Sequence, residues 1–84
     1  MYERYYLQRS VTRGQKAREA LNRAGLRSRL LRAPRVLSPE GCGYALAVPE
    51  AEAARAEALM ERAGVPPEAV YRRLTDGSFG RLGP

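Results

Sequence analysis

The sequence predicts an α+β fold with the element order β-α-β-β-α-β. Three observations carry this reading. Two segments have apolar residues at helical spacing, and each ends in a glycine. Segments rich in β-formers stand before and after each of them. The length of 84 residues allows one domain with one modest core.

Arg4-Tyr5-Tyr6-Leu7-Gln8 reads as the first strand, and Ser10 follows as the N-cap of a helix. From Val11 to Ala24 the small or apolar residues Gly14, Ala17, Leu21 and Ala24 share one face, with Ala20 beside them. Gly25 suits the C′ position, and Leu26 can pack back on the helix end. Gly14 costs helix stability, about 1 kcal/mol against Ala, and is expected to let the helix approach the sheet closely. Ser28-Arg29-Leu30-Leu31-Arg32 reads as the second strand, and the two prolines between Ala33 and Gly41 mark a loop.

Tyr44-Ala45-Leu46-Ala47-Val48 is apolar on both faces, as a central strand is. Pro49-Glu50 is expected to open the second helix, with acid where the helix dipole favours it. Its stripe is Ala53, Ala56, Leu59, Met60 and Ala63, and Gly64 ends it. Pro66-Pro67 make a turn, and Ala69-Val70-Tyr71-Arg72-Arg73 is the last strand. This order is the split βαβ, or ferredoxin-like, arrangement: a four-stranded antiparallel sheet with two helices on one face. A single domain is expected over residues 1–74, and residues 75–84 read as a loosely ordered C-terminal tail.

The formal net charge is +6, and arginine supplies nearly all of the positive charge, with lysine only at Lys16. Such a surface attracts anions: nucleic acid, phosphate or an acidic partner. No apolar run approaches the roughly 20 residues of a membrane span, and Met1-Tyr2-Glu3-Arg4 is too polar for a signal peptide. One cysteine and no histidine exclude a zinc finger, a Cys/His nucleophile pair and Ser-His-Asp catalysis within the chain. No metal or cofactor is expected. A free thiol suits a reducing compartment, so the expectation is a cytoplasmic protein with no membrane partner.

That cysteine, Cys42, stands between Gly41 and Gly43 at the mouth of the third strand. The topology brings that end of the third strand to the end of the molecule that holds Ser10, Val11 and Thr12, because the first and third strands are neighbours. A helix start has unpaired N–H groups and partial positive charge, which stabilise a thiolate or an anion. Arg35 and Arg13 add positive charge. A thiolate attacks sulfur or holds a persulfide, so the arrangement suits sulfur transfer. The competing reading is a buried cysteine acting as a small hydrophobe.

The loop also resembles a known family. Pro34-Arg35-Val36-Leu37-Ser38 followed by Gly41-Cys42-Gly43-Tyr44-Ala45-Leu46 looks like the PR-x-L-S…CG-x-AL signature of the putative selenium/sulfur carrier protein-like family. Ser10, Ala17, Leu21, Ala24, Gly25 and Leu26 are similar to that family's strand-to-helix segment. Val11 and Thr12 depart from it, standing where the family usually has Thr and often has His, and the 39–41 stretch looks one residue longer. The resemblance implies a carrier that holds sulfur or selenium on Cys42. Pro34, Arg35, Ser38, Gly41, Gly43, Ser10 and Thr12 would support that residue. The partners implied are a donor, such as a cysteine desulfurase or selenocysteine lyase, and an acceptor enzyme. Such a chain is a stoichiometric intermediary more than an enzyme.

Two other readings use the same residues differently. A ferredoxin-like interaction or ligand-sensing module would leave Cys42 structural. A basic RNA- or tRNA-binding domain would stack bases on Tyr5, Tyr6, Tyr44 or Tyr71, although the basic-aromatic pattern of such sheets is missing. Ser10 is read as a helix cap and Ser38 as a turn residue before either is read as a ligand donor.

Overall fold

The computed structural model describes residues 2–38 and 43–83. Its elements are β1 (Glu3–Gln8), α1 (Val11–Arg23), β2 (Arg29–Arg32), β3 (Tyr44–Pro49), α2 (Ala53–Arg62), β4 (Ala69–Arg73) and β5 (Phe79–Gly83). A 3-10 turn, Glu50–Glu52, leads into α2. The five strands form one antiparallel sheet in the order β2-β3-β1-β4-β5. The first four strands keep the ferredoxin-like order.

Two expectations are corrected. Four strands were expected, and the sheet has five: the segment read as a loose tail pairs with β4 as β5. The reversal is made by Asp76, whose Oδ1 accepts from Ser78 N at 2.9 Å and from Ser78 Oγ at 2.6 Å. Asp-Gly is a strong hairpin signal, but Gly80 and Gly83 interrupt the apolar pattern that would have marked a strand. What holds β5 is Phe79, edge-on to Tyr5 with ring centroids 5.0 Å apart. The second correction concerns Pro49, which ends β3 and does not open α2. The helix starts only after the 3-10 turn.

β1 and β3 lie inside the sheet, so each buries both faces. On the helix side Tyr6, Leu46 and Val48 meet Ala17, Leu21, Leu26, Ala56, Met60 and Val65. Both helices close the same way. Leu26 N donates to Leu21 O, and Val65 N donates to Met60 O, across glycines at φ 76°. This left-handed turn returns a buried apolar residue to the core each time. On the opposite side Tyr5, Ala45 and Ala47 form a second, smaller cluster with Leu37, flanked by Leu31, Ala33, Tyr71 and Phe79. The doubly apolar sequence of β3 is the mark of these two cores.

A charged cluster closes the end of the sheet where β1 begins. Arg4 and Arg72 both donate to the Glu50 carboxylate, Arg72 through Nη2 at 3.0 Å. Arg4 Nη1 also reaches Glu57 at 3.1 Å, and the Tyr6 hydroxyl donates to the same Glu57 oxygen at 2.9 Å. The Arg72 hydrogen bond, joined by Arg4, holds the Glu50 carboxyl below its ordinary range against an opposing effect of burial. Burial, with help from Glu57, pushes the Tyr6 hydroxyl well above its ordinary value.

Two outcomes follow from this packing. Phe79→Ala removes the half-buried ring that covers Tyr5, and urea unfolding should show a loss of about 1–3 kcal/mol, below the roughly 3–5 of a fully buried Phe→Ala change. An unchanged midpoint would mean that β5 contributes nothing. A depressed Glu50 contributes stability that is present above its unfolded-state pKa and lost as pH falls through its folded value. The urea midpoint should therefore drop between about pH 5 and pH 2, and Glu50→Gln should flatten part of that drop.

Candidate functional site

The loop between β2 and β3 is tied at its base. Beyond the last β2–β3 pair, Arg32 with Tyr44, Ala33 N donates to Gly43 O at 3.2 Å. The first half of the loop then winds into a turn around one carbonyl. Pro34 O accepts from Leu37 N at 2.9 Å and from Ser38 N at 3.0 Å. Proline suits the opening of such a turn because its φ is preset. The turn buries Leu37 in the second core and leaves Ser38 only 7% exposed.

Gly43 returns the chain to the sheet with φ 109°, a conformation that L side chains rarely adopt. It also runs close to the end of β1. A Cβ on Gly43 would stand 3.3 Å from Gln8 O and 3.7 Å from Ser38 Oγ. Glycine is thus required here by backbone angle and by space together. The sequence singles out Gly43 as a flank of Cys42, and its geometry supplies this separate physical reason.

The same end of the molecule holds the start of α1. Ser10, two residues beyond Gln8, caps the helix by accepting from Arg13 N at 3.2 Å. The first-turn N–H groups of Val11 and Thr12 have no acceptor within the helix. Thr12 is exposed. Gly14 gives the close approach read from the sequence: a Cβ there would meet Leu30 Cδ1 at 2.8 Å and Tyr44 Cβ at 3.7 Å. The first turns of α1 therefore sit against β2 and the start of β3.

Of the residues named from the sequence, the structure brings together Pro34, Ser38 and Gly43 at the sheet end, with Ser10 capping α1 nearby in the chain. Arg35 is exposed in the turn and does not join them by any hydrogen bond or ion pair to a described residue. Gly41 and Cys42 lie outside the described residues. Tyr5 and Tyr6 are buried, at 2% and 0%, so neither ring is open to a base.

The structure adds residues that the sequence reading passed over. A cleft of about 370 Å³ beside Ser38 and Gly43 is also lined by Leu7, Gln8, Leu37 and the Arg9–Glu68 ion pair, which is 3.2 Å long. Gln8 is 1% exposed. Its Nε2 donates to Val65 O at 3.0 Å, while its Oε1 is buried without a hydrogen-bond partner among the described residues. A signal for Gln8 was present: Arg4, Tyr6 and Gln8 share one face of β1, so a polar residue at the third position must be buried at the helix side.

Comparison with known proteins bears on the same residues. The family model described as Putative Se/S carrier protein-like matches residues 5–72, which is most of the chain. No curated protein and no solved structure gives a significant match.

The fit of Gly43 against Gln8 can be measured directly. Gly43→Ala should cost about 1–3 kcal/mol of stability, because the backbone angle is strained for alanine and the facing atom is a backbone oxygen. Gly80→Ala, with open space around its Cβ, should stay within about 0.5 kcal/mol of the parent. Equal effects in the two variants would rule out the special constraint at Gly43.

Proposed function

The chain belongs to the Putative Se/S carrier protein-like family, and from that membership we propose that it carries sulfur or selenium on its only thiol, Cys42. The observation that carries the reading is a family match that spans the whole loop between β2 and β3, with the sole cysteine inside it. The geometry around the loop supports it. The loop is anchored on one side by the Pro34 turn and on the other by Gly43, next to β1 and the capped start of α1.

The transfer is a thiol exchange at sulfur. The Cys42 thiolate attacks the terminal sulfur of a donor persulfide, R–S–SH. A new S–S bond forms on Cys42 as the donor S–S bond breaks, and the donor departs as the thiolate R–S⁻. Cys42 is left as Cys–S–SH, with no net oxidation and no further reagent. A perselenide donor passes its selenium in the same way. An acceptor then removes the chalcogen by the reverse exchange.

The first-turn N–H groups of Val11 and Thr12 and the guanidinium of Arg35 are the groups that would favour the thiolate form. Val11 lacks the hydroxyl usually found at its position in the family and Thr12 lacks the imidazole often found at its own, so the proposed activation rests on backbone dipoles and arginine.

Intact-mass measurement tests the reading. Incubation with a cysteine desulfurase and cysteine, or with a selenocysteine lyase and selenocysteine, should add the mass of one sulfur or one selenium atom. Cys42→Ser should abolish the gain. A chain that stays at its starting mass with both donors, or gains equally as Cys42→Ser, would overturn the proposal. Alkylation of Cys42 should also reach half its maximal rate below about pH 8.5, the value for a free thiol.

A further inference from the structure

The opposite end of the sheet carries a feature that chalcogen transfer does not use. Gly43 and Tyr44 lie beside Gln8, whereas the other end of β3, Pro49, pairs with Glu3. At that far end a cleft of about 470 Å³ opens between the second half of α1 and the start of β2. Arg18 and Asn22 of α1, Arg27 and Ser28 of the connection, and Arg29 and Glu3 line it.

The charges in this cleft do not balance. Arg29 is already engaged: its Nη2 lies 3.0 Å from both Glu3 oxygens and 3.5 Å from the Tyr5 hydroxyl. Arg18 and Arg27 have no hydrogen bond or ion pair with any described residue. They are not occupied by the carbonyl end of α1 either, since Arg55 donates to Ala24 O there. Two positive charges are therefore uncompensated around one cleft. Ser28 is a different case. Its hydroxyl oxygen is buried and has no hydrogen-bond partner among the described residues. That oxygen is closed off from the cleft, so the ligand-facing groups there are the exposed Arg18, Arg27 and Asn22 side chains.

We propose that this cleft binds a small organic phosphate. A phosphate monoester carries close to two negative charges at neutral pH, which matches the surplus, whereas a carboxylate would leave one arginine unmatched. Guanidinium forks suit phosphate oxygens, and the exposed Asn22 amide supplies a further hydrogen-bonding group. The volume lies within the range of small-molecule sites and leaves room for the group esterified to the phosphate.

NMR titration of the isotope-labelled chain at low salt tests the site, with phenyl phosphate, inorganic phosphate and phenol as probes. Phenyl phosphate should give saturable shifts centred on the amides of Asn22, Arg27, Ser28 and Arg29. Inorganic phosphate should move the same amides with weaker affinity, and phenol should move none. Arg18→Ala with Arg27→Ala, both exposed side chains, should weaken phenyl phosphate about tenfold or more. The same loss of charge at Arg35 and Arg62, on other surfaces, should stay within about twofold. Shifts that never saturate, that spread over every arginine-bearing surface, or that fall equally in the two double variants would overturn the proposal. The outcome is independent of whether Cys42 accepts a chalcogen.

Discussion

The rest of the structure depends on β1 being paired on both edges. It bonds to β3 on one side and to β4 on the other, so it has no free edge and its alternation divides two environments. Tyr6 enters the main core beneath the helices, and Tyr5 enters the smaller cluster on the far side. Each tyrosine must then find a partner for its hydroxyl. Tyr6 uses Glu57, while Tyr5 takes Arg29 at 3.5 Å and Arg73 at 3.3 Å. Those requirements recruit α2 on one side and the strand ends on the other. A sheet of this size with one face left open would bury far less apolar surface, and small domains have little to spare.

The same pairing explains why the two ends of the sheet differ. Where β1 begins, Arg4 meets Glu50, Glu57 and, through the shared carboxylate, Arg72. Within that cluster two arginines face two carboxylates, whereas Arg18 and Arg27 in the neighbouring cleft have no carboxylate partner among the described residues. Where β1 ends, the contacts are of another kind: a backbone oxygen of Gln8 against Gly43, a serine cap, and a proline carbonyl that takes two amides. That end is tied by main-chain groups, beside a cleft lined by Leu7, Gln8, Leu37 and Ser38.

Much of this was legible in the residues. Ser10 announced a cap, Gly25 and Gly64 announced helix ends, and the unbroken apolar run of β3 announced an interior strand. All of these depend on local chemistry or on period, which a single chain displays. β5 was not legible, because Phe79 is stabilised by Tyr5, which lies far away in the chain, and two glycines blur its pattern. Pro49 was misread for a related reason: its extended φ and ψ of −59° and 141° suit a strand end as well as a helix start. At the site, Gly43 was singled out for its position next to a cysteine. The tight approach to Gln8 that makes glycine necessary comes from the β1–β3 register, which no local pattern contains.

Arginine content shows the limit of composition most clearly. A net charge of +6 describes a basic chain, yet the arginines fall into groups with different physics. Arg4, Arg29 and Arg72 are held by carboxylates and serve the fold. Arg81 lies 5.9 Å from the Tyr71 ring centre and covers the edge hairpin. Arg9, Arg23 and Arg55 lie in exposed ion pairs of small energetic weight. Once these are set aside, the positive charge without a partner among the described residues includes Arg18 and Arg27 in one cleft and Arg35 in the β2–β3 loop. Uniform basicity would favour a long polyanion spread over a face. Lys16, Arg32 and Arg62 are exposed without an ion pair among the described residues as well, so the surplus is spread over α1, β2, the β2–β3 loop and α2, while burial closes the Tyr5 and Tyr6 rings to base stacking.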